Sequence, residues 1–237
     1  MRLMISVVSG AEAREALSGG AEILDVKNPA EGSLGAQSPW IIREIRDLCR
    51  GKADLSAAIG DMPNLPGTAA LAALGAAVCG ADYVKVGLFG PSSQTEALAM
   101  LREVRLAVAE LPVSVIAAAY ADFGRAGTLD PECLPRLAAK AGIRGCLLDT
   151  AIKDGHTLFD FLAPETLRRL ADQAHGAGLL FGLAGALREQ DLALACELGA
   201  DIAGLRTAAC RDNQRDGVLD AYRIRRLHRA IRGRAAT

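Results

Sequence analysis

The sequence predicts an α/β fold, a single (β/α)8 TIM barrel with a parallel eight-stranded sheet. Three observations predict it. Short runs rich in Val, Ile and Leu alternate eight times with longer Ala/Leu/Arg segments of helical spacing, and that alternation implies a parallel sheet. The 237 residues divide by eight into about 30, the length of one strand–helix unit. Four times a helix-like segment ends in glycine and leads into a strand, at Gly20, Gly80, Gly142 and Gly199, spaced 60, 62 and 57 residues apart. Each interval is two strand–helix units, and glycine suits the left-handed residue that closes a helix.

The elements follow in order. MRLMISVVSG is too short for a signal peptide and has no cleavage pattern, so Leu3–Val8 reads as the first strand. Gly20 leads into the second, Ile23–Lys27. Pro39 behind Ser38 opens a helix with Trp40, Ile41, Ile45 and Leu48 at helical spacing. The third strand is Asp54–Ile59. Gly80 leads into the fourth, Tyr83–Leu88, and a helix patterned by Leu98, Leu101, Val104 and Val108 follows. The fifth strand is Ser114–Tyr120. Gly142 introduces the sixth, Cys146–Asp149, the seventh is Leu179–Ala184, and Gly199 introduces the eighth, Asp201–Arg206. No Pro/Gly/Ser-rich linker or charge block divides the chain, so residues 1–237 are expected to form one catalytic domain.

Residues two apart on a strand share a face. Counted from the four glycines, offsets five and seven give Asp25 and Lys27, Lys85, Asp149, and Arg206. Facing the helices these charges would be buried and unpaired. They are therefore expected inside the barrel at its C-terminal mouth, where such barrels carry their active sites.

The lysines sharpen this. The chain has five, against 22 arginines. Lys52 and Lys140 read as surface charges, but Lys27, Lys85 and Lys153 stand at or just past the ends of alternate strands. Arginine cannot form an imine; lysine can, once its pKa is lowered. Crowded ammonium groups depress one another's pKa, so a neutral amine becomes available as nucleophile or base, with Asp25 and Asp149 as compensating charge. This constellation fits aldol, imine and elimination chemistry on a carbonyl compound. The competing reading is that the lysines bind phosphate or pair with the aspartates.

Other segments narrow the function. With 27 basic and 28 acidic residues, a dedicated nucleic-acid binder is not expected. No stretch has the ~20 apolar residues of a membrane helix. The six cysteines never come closer than 13 positions, so neither a zinc pattern nor a disulfide framework is expected; they read as small buried hydrophobes of a cytoplasmic protein. Three histidines make a His-based metal site or a Ser-His-Asp triad improbable, and no metal or cofactor is expected. A Mg²⁺ site of Asp25, Asp149 and Asp122 ranks low beside the lysines; Asp122 otherwise reads as a mouth residue or a helix cap. Glu31-Gly32-Ser33-Leu34-Gly35 precedes a helix, so Ser33 and Gly35 are candidates for presenting N–H groups to phosphate. Gly185 after the seventh strand, and Arg206 and Thr207 after the eighth, occupy the usual phosphate position of barrels.

The runs Asp25-Val26-Lys27-Asn28-Pro29, Glu31–Gly35, Gly60-Asp61, Pro66-Gly67-Thr68, Ala81–Leu88 and Leu148–Gly155 resemble the (5-formylfuran-3-yl)methyl phosphate synthases, or 4-(hydroxymethyl)-2-furancarboxaldehyde-phosphate synthases, of methanogens and methylotrophic bacteria. The resemblance runs from about Met4 to Leu227. It departs at Arg206-Thr207, where archaeal members carry Gly after the Arg. The resemblance implies a lyase that condenses two glyceraldehyde 3-phosphate molecules into a phosphorylated furan aldehyde, with loss of one phosphate and water, for biosynthesis of methanofuran or its analogue. It implies Lys27 as the Schiff-base residue and Lys85 as proton acceptor, with Asp25, Asp149 and Lys153 completing the site. A cytoplasmic homo-oligomer is expected. Two alternatives stay open: a class I aldolase of another substrate, and a non-catalytic barrel that binds a phosphorylated metabolite.

Overall fold

A computed structural model describes residues 1–233. Its elements in chain order are β1 (Arg2–Val7), α1 (Gly10–Ser18), β2 (Ile23–Val26), α2 (Pro39–Cys49), β3 (Asp54–Asp61), α3 (Pro66–Val78), β4 (Tyr83–Gly87), α4 (Gln94–Ala107), β5 (Ser114–Tyr120), α5 (Phe123–Ala126), α6 (Leu134–Ala141), β6 (Gly145–Asp149), α7 (Pro164–Gly176), β7 (Leu180–Leu183), α8 (Asp191–Glu197), β8 (Ile202–Leu205) and α9 (Ala221–Arg232). All neighbouring strands are parallel and in sequence order, and β8 pairs with β1 to close a barrel. The protein is a TIM barrel. Each of the eight expected strands is present, with ends shifted by up to two residues.

The glycine repeat has a common geometry. Gly20, Gly80, Gly142 and Gly199 all have positive φ, between 67° and 95°. At each, the next N–H reaches back five residues: Ala21 to Ala16, Ala81 to Ala76, Ile143 to Ala138 and Ala200 to Ala195, at 3.0–3.3 Å. This is the Schellman closure, which satisfies an orphan carbonyl and turns the chain toward the next strand. A fifth copy at Gly178, with Leu179 bonded to Ala174 at 2.9 Å, feeds β7. Two positions after the other four glycines stand Glu22, Asp82, Arg144 and Asp201, where Gly178 has Leu180.

The strand parity separates two cores. Leu3, Ile5, Leu24, Val26, Val84, Val86, Leu148 and Phe181 pack outward against the helices. Met4, Ile23, Ile116, Ala118, Leu147 and Ile202 fill the barrel interior. Above that apolar plug, the same inward parity presents Ser6, Asp25, Lys85 and Asp149, all less than 5% exposed. The plug thus forms the floor of a polar cup open at the C-terminal ends of the strands.

Five of the six cysteines are buried and all are free; Cys196 is exposed. Among the described residues no helix is long and apolar enough to cross a membrane.

Candidate active site

A cavity of about 640 Å³ opens at the C-terminal mouth and is lined by Asp25, Lys27, Lys85, Asp149 and Lys153. Asp25 is the penultimate residue of β2, and Lys27 is the first residue past the strand's end. Lys85 is in β4, Asp149 ends β6, and Lys153 lies on the loop that follows. The strands fix Asp25, Lys85 and Asp149 by register, since Ser6 pairs with Asp25, Lys85 with Ile116 and Tyr120 with Asp149 across the sheet. The bond from the Lys27 N–H to the Val7 carbonyl fixes the backbone of Lys27. The fifth depends on a loop, and that loop is pinned. Asp122 accepts from the N–H groups of Ala151 and Ile152 at 2.7 and 2.9 Å. Its side chain makes no helix-capping bond, so Asp122 is neither a cap nor a free mouth residue; it holds the segment carrying Lys153.

The charges are organised as two pairs and one single. Lys85 Nζ donates to Asp25 Oδ2 at 2.7 Å, both side chains nearly fully buried, and Ser6 Oγ donates to the same oxygen at 3.2 Å. Lys153 Nζ donates to Asp149 Oδ1 at 2.5 Å and to Thr150 Oγ1 at 3.0 Å. Lys27 is 6% exposed; its N–H donates to the Val7 carbonyl at 3.2 Å, but its side-chain amine makes no hydrogen bond or ion pair among the described residues. Burial is the main cause that lowers its pKa, to about 8; the charges of Lys85 and Lys153 push the same way, and Asp149 and Asp25 oppose them. Burial alone would raise the pKa of Asp149, but Lys153, Lys27 and Lys85 more than offset it and hold the carboxylate at about 2. Asp25 Oδ1 is a buried acceptor with no partner. Buried polar atoms are satisfied in the great majority of cases; the cavity thus brings together an unpartnered carboxylate oxygen and an unpartnered amine. Among neutral-pH nucleophiles, an amine lowered toward 8 is suited to carbonyl attack.

The cavity lining is predominantly positive. Three lysines and five arginines line it, against Asp25, Asp149 and Glu189.

A profile of the 4-HFC-P synthase family matches residues 3–228. The chain belongs to the 4-HFC-P synthase family. It is 47% identical over 233 residues to the (5-formylfuran-3-yl)methyl phosphate synthase of Methanopyrus kandleri, covering 97% of this chain and 98% of that one. It is 45% identical over 230 residues to that of Methanocaldococcus jannaschii, covering 96% and 98%. These relatives are named as synthases, and this family member is accordingly an enzyme. The fold is shared with 3-hexulose-6-phosphate synthase from Salmonella typhimurium, with TM-score 0.71, 16% identity, and 98% and 99% of the two chains covered. It is shared also with phosphoribosyl anthranilate isomerase from Thermus thermophilus, with TM-score 0.64, 18% identity, and the same coverage. At these identities the likeness concerns the barrel alone.

In this member of the 4-HFC-P synthase family, the structure brings together eight of the ten residues singled out by sequence. Gly185, Arg206 and Thr207 line the cavity with the three lysines and two aspartates. Ser33 and Gly35 do not. The Ser33 hydroxyl donates to the Thr150 carbonyl at 2.8 Å. The N–H groups of Ser33 and Leu34 donate to Asp61, the former at 2.7 Å, and the Gly35 carbonyl accepts from Asn28. The Gly-rich loop does cradle an anion, but the anion is the protein's own carboxylate. Asp61 is presented there by a register shift between β3 and β4 at Gly60, and the Tyr120 hydroxyl also donates to it. Sequence reasoning did not assign Asp61 this role; the glycine inside a strand was the signal of a bulge. Arg206 is at the mouth, but its guanidinium grips Glu12 in a fork at 2.8 and 3.1 Å.

Proposed function

We propose that this enzyme forms (5-formylfuran-3-yl)methyl phosphate from two molecules of glyceraldehyde 3-phosphate through an imine on Lys27. The observation that carries the reading is the single unpaired amine, depressed toward pKa 8, set between two lysine–aspartate pairs in a predominantly positive cup. Family membership supplies the product.

Neutral Lys27 Nζ adds to the aldehyde carbon of one triose phosphate. Loss of hydroxide as water, with a proton from the Lys153–Asp149 pair, leaves an iminium. The iminium withdraws electrons from the adjacent carbon, whose proton passes to the Lys85–Asp25 pair: Lys85 cedes its own proton to Asp25 across their 2.7 Å hydrogen bond and, as a neutral amine, takes the carbon's proton. The resulting enamine serves both following steps, expulsion of the β-phosphate and attack on the second aldehyde. Ring closure and dehydration give the aromatic furan. Release of one phosphate and two waters balances the atoms of the two substrates. Aromaticity drives the sequence forward, and hydrolysis of the imine frees Lys27. The product would feed methanofuran biosynthesis or that of its analogue.

The test is incubation with glyceraldehyde 3-phosphate as sole substrate. Stoichiometric release of phosphate with appearance of furan absorbance supports the reading. An aldol product without phosphate release indicates an aldolase of other specificity, and tight binding without turnover indicates a non-catalytic barrel; either result overturns it.

A further inference from the structure

The proposed chemistry requires a cation that holds the substrate's phosphate, and Arg206 is poorly placed to be it. Besides the fork on Glu12, Arg206 Nη1 donates to the Ser6 carbonyl at 3.1 Å and Nε to the Arg215 carbonyl at 2.8 Å. A guanidinium carries five N–H donors, so most of its donors are engaged, and its charge is matched by Glu12. Three other arginines at the mouth also have acceptors. Arg223 donates to Asn213 Oδ1 at 2.7 Å and Arg226 to Glu189 at 2.9 Å, while Arg188 reaches the Gly155 carbonyl at 3.4 Å.

Arg215 differs from all four. It lines the same cavity, it is half-buried, and its side chain makes no hydrogen bond or ion pair among the described residues. Burial lowers its pKa, and the carboxylates of Asp149, Asp216 and Asp61 pull it back up while Arg206 adds to the lowering. Arg215 thus lines the cavity within the fields of Asp149 and Asp61. That loop is tied at several points. Cys210 and Leu219 form an antiparallel bridge, Arg211 N–H donates to the Val218 carbonyl at 2.9 Å, and Gly217 N–H to the Gln214 carbonyl at 3.0 Å. The bond from Arg206 Nε anchors it at residue 215 itself.

The geometry points to Arg215 as the residue that binds the substrate's phosphate, with the Arg206–Glu12 pair as the clasp that positions it. The inference rests on the proposed triose phosphate reaction and names the group that selects its phosphorylated substrate. The planar fork of arginine matches two phosphate oxygens at once, and an unpaired guanidinium needs no existing partner displaced. Arg206 acts through the loop and is a positioning residue.

Two probes separate this inference from the imine reading. Glycerol 3-phosphate carries the phosphate without an aldehyde, and glyceraldehyde carries the aldehyde without a phosphate. By calorimetry Arg215→Met should weaken glycerol 3-phosphate binding at least tenfold, and Arg215→Lys should restore part of it. Borohydride trapping of glyceraldehyde on Lys27 should be unchanged in Arg215→Met. Glu12→Gln should also weaken glycerol 3-phosphate binding while leaving glyceraldehyde trapping intact, a split that general loss of structure would not produce. Wild-type affinity for glycerol 3-phosphate in Arg215→Met overturns the proposal, as does wild-type binding no tighter than that of glycerol. If wild type traps no glyceraldehyde but Arg215→Met still loses glycerol 3-phosphate binding, the imine reading fails and the phosphate site stands.

Discussion

The pKa of Lys27 makes a quantitative prediction about pH. An ordinary lysine titrates at 10.5, and burial together with Lys85 and Lys153 brings Lys27 to about 8. At pH 7 the neutral fraction rises from roughly 0.03% to roughly 9%, about 300-fold, which corresponds to about 3 kcal/mol between the two protonation states. If neutral Lys27 is the nucleophile, kcat/KM should climb about tenfold per pH unit below 8 and level above it. The perturbation that tests the cause is Asp149→Asn. Among the charges acting on Lys27, Asp149 is the strongest that favours the ammonium. Removing it leaves desolvation and the two neighbouring cations less opposed, so the pKa must fall further and the inflection must move to lower pH. The assay is the initial rate of borohydride-trapped adduct with glyceraldehyde from pH 6 to 10, in wild type and Asp149→Asn, because glyceraldehyde has no phosphate titration of its own. A wild-type rise that continues unbroken to pH 10, or an inflection that moves alkaline in Asp149→Asn, would refute the electrostatic account.

Other expectations follow from the same geometry. Lys85→Gln should abolish turnover while keeping the glyceraldehyde adduct on Lys27, and retained turnover would remove Lys85 as the base. Because it also leaves Asp25 buried without its counter-charge, it should cost about 3 kcal/mol or more of stability in a denaturant titration. Asp149, held at about 2 from an ordinary 3.8, contributes stability that is fully present above pH 4 and lost as pH falls through 2; the contribution is on the order of 2 kcal/mol. Denaturant midpoints at pH 5 and pH 2 should show that loss in wild type and a smaller one in Asp149→Asn. Activity should survive EDTA, since the iminium supplies the electron sink a metal would otherwise supply; loss on chelation with recovery on adding Mg²⁺ or Zn²⁺ would contradict this.

The barrel was legible because its signals are local and periodic. β-branched runs, helical spacing and the Gly-initiated strand approaches each depend on a few adjacent residues. The inward parity of Asp25, Lys85 and Asp149 was legible for the same reason, since a strand alternates its faces whatever it packs against. What was not legible depends on which residue meets which across the mouth. Ser33 and Gly35 lie in a loop whose N–H groups do bind a carboxylate, but nothing near them in sequence says that Asp61, 28 residues from Ser33, supplies it. Arg206 has the parity of an inward residue, yet Glu12, 194 positions away, takes its charge. Arg215 gave no signal at all among the many arginines of the C-terminal segment. Its distinction is the lack of a partner, which only the folded arrangement reveals.

The central claim is that Lys27 is the covalent nucleophile. The most direct measurement is borohydride reduction of the wild-type enzyme with glyceraldehyde 3-phosphate, followed by peptide mass spectrometry, beside Lys27→Arg under the same conditions. Arg keeps the charge and approximate length but cannot form an imine. The account predicts a stable adduct on the peptide containing Lys27 and none in the variant, with kcat in the variant lower by several orders of magnitude. An adduct on Lys85 or Lys153 in wild type, or substantial turnover by Lys27→Arg with no adduct anywhere, would contradict it.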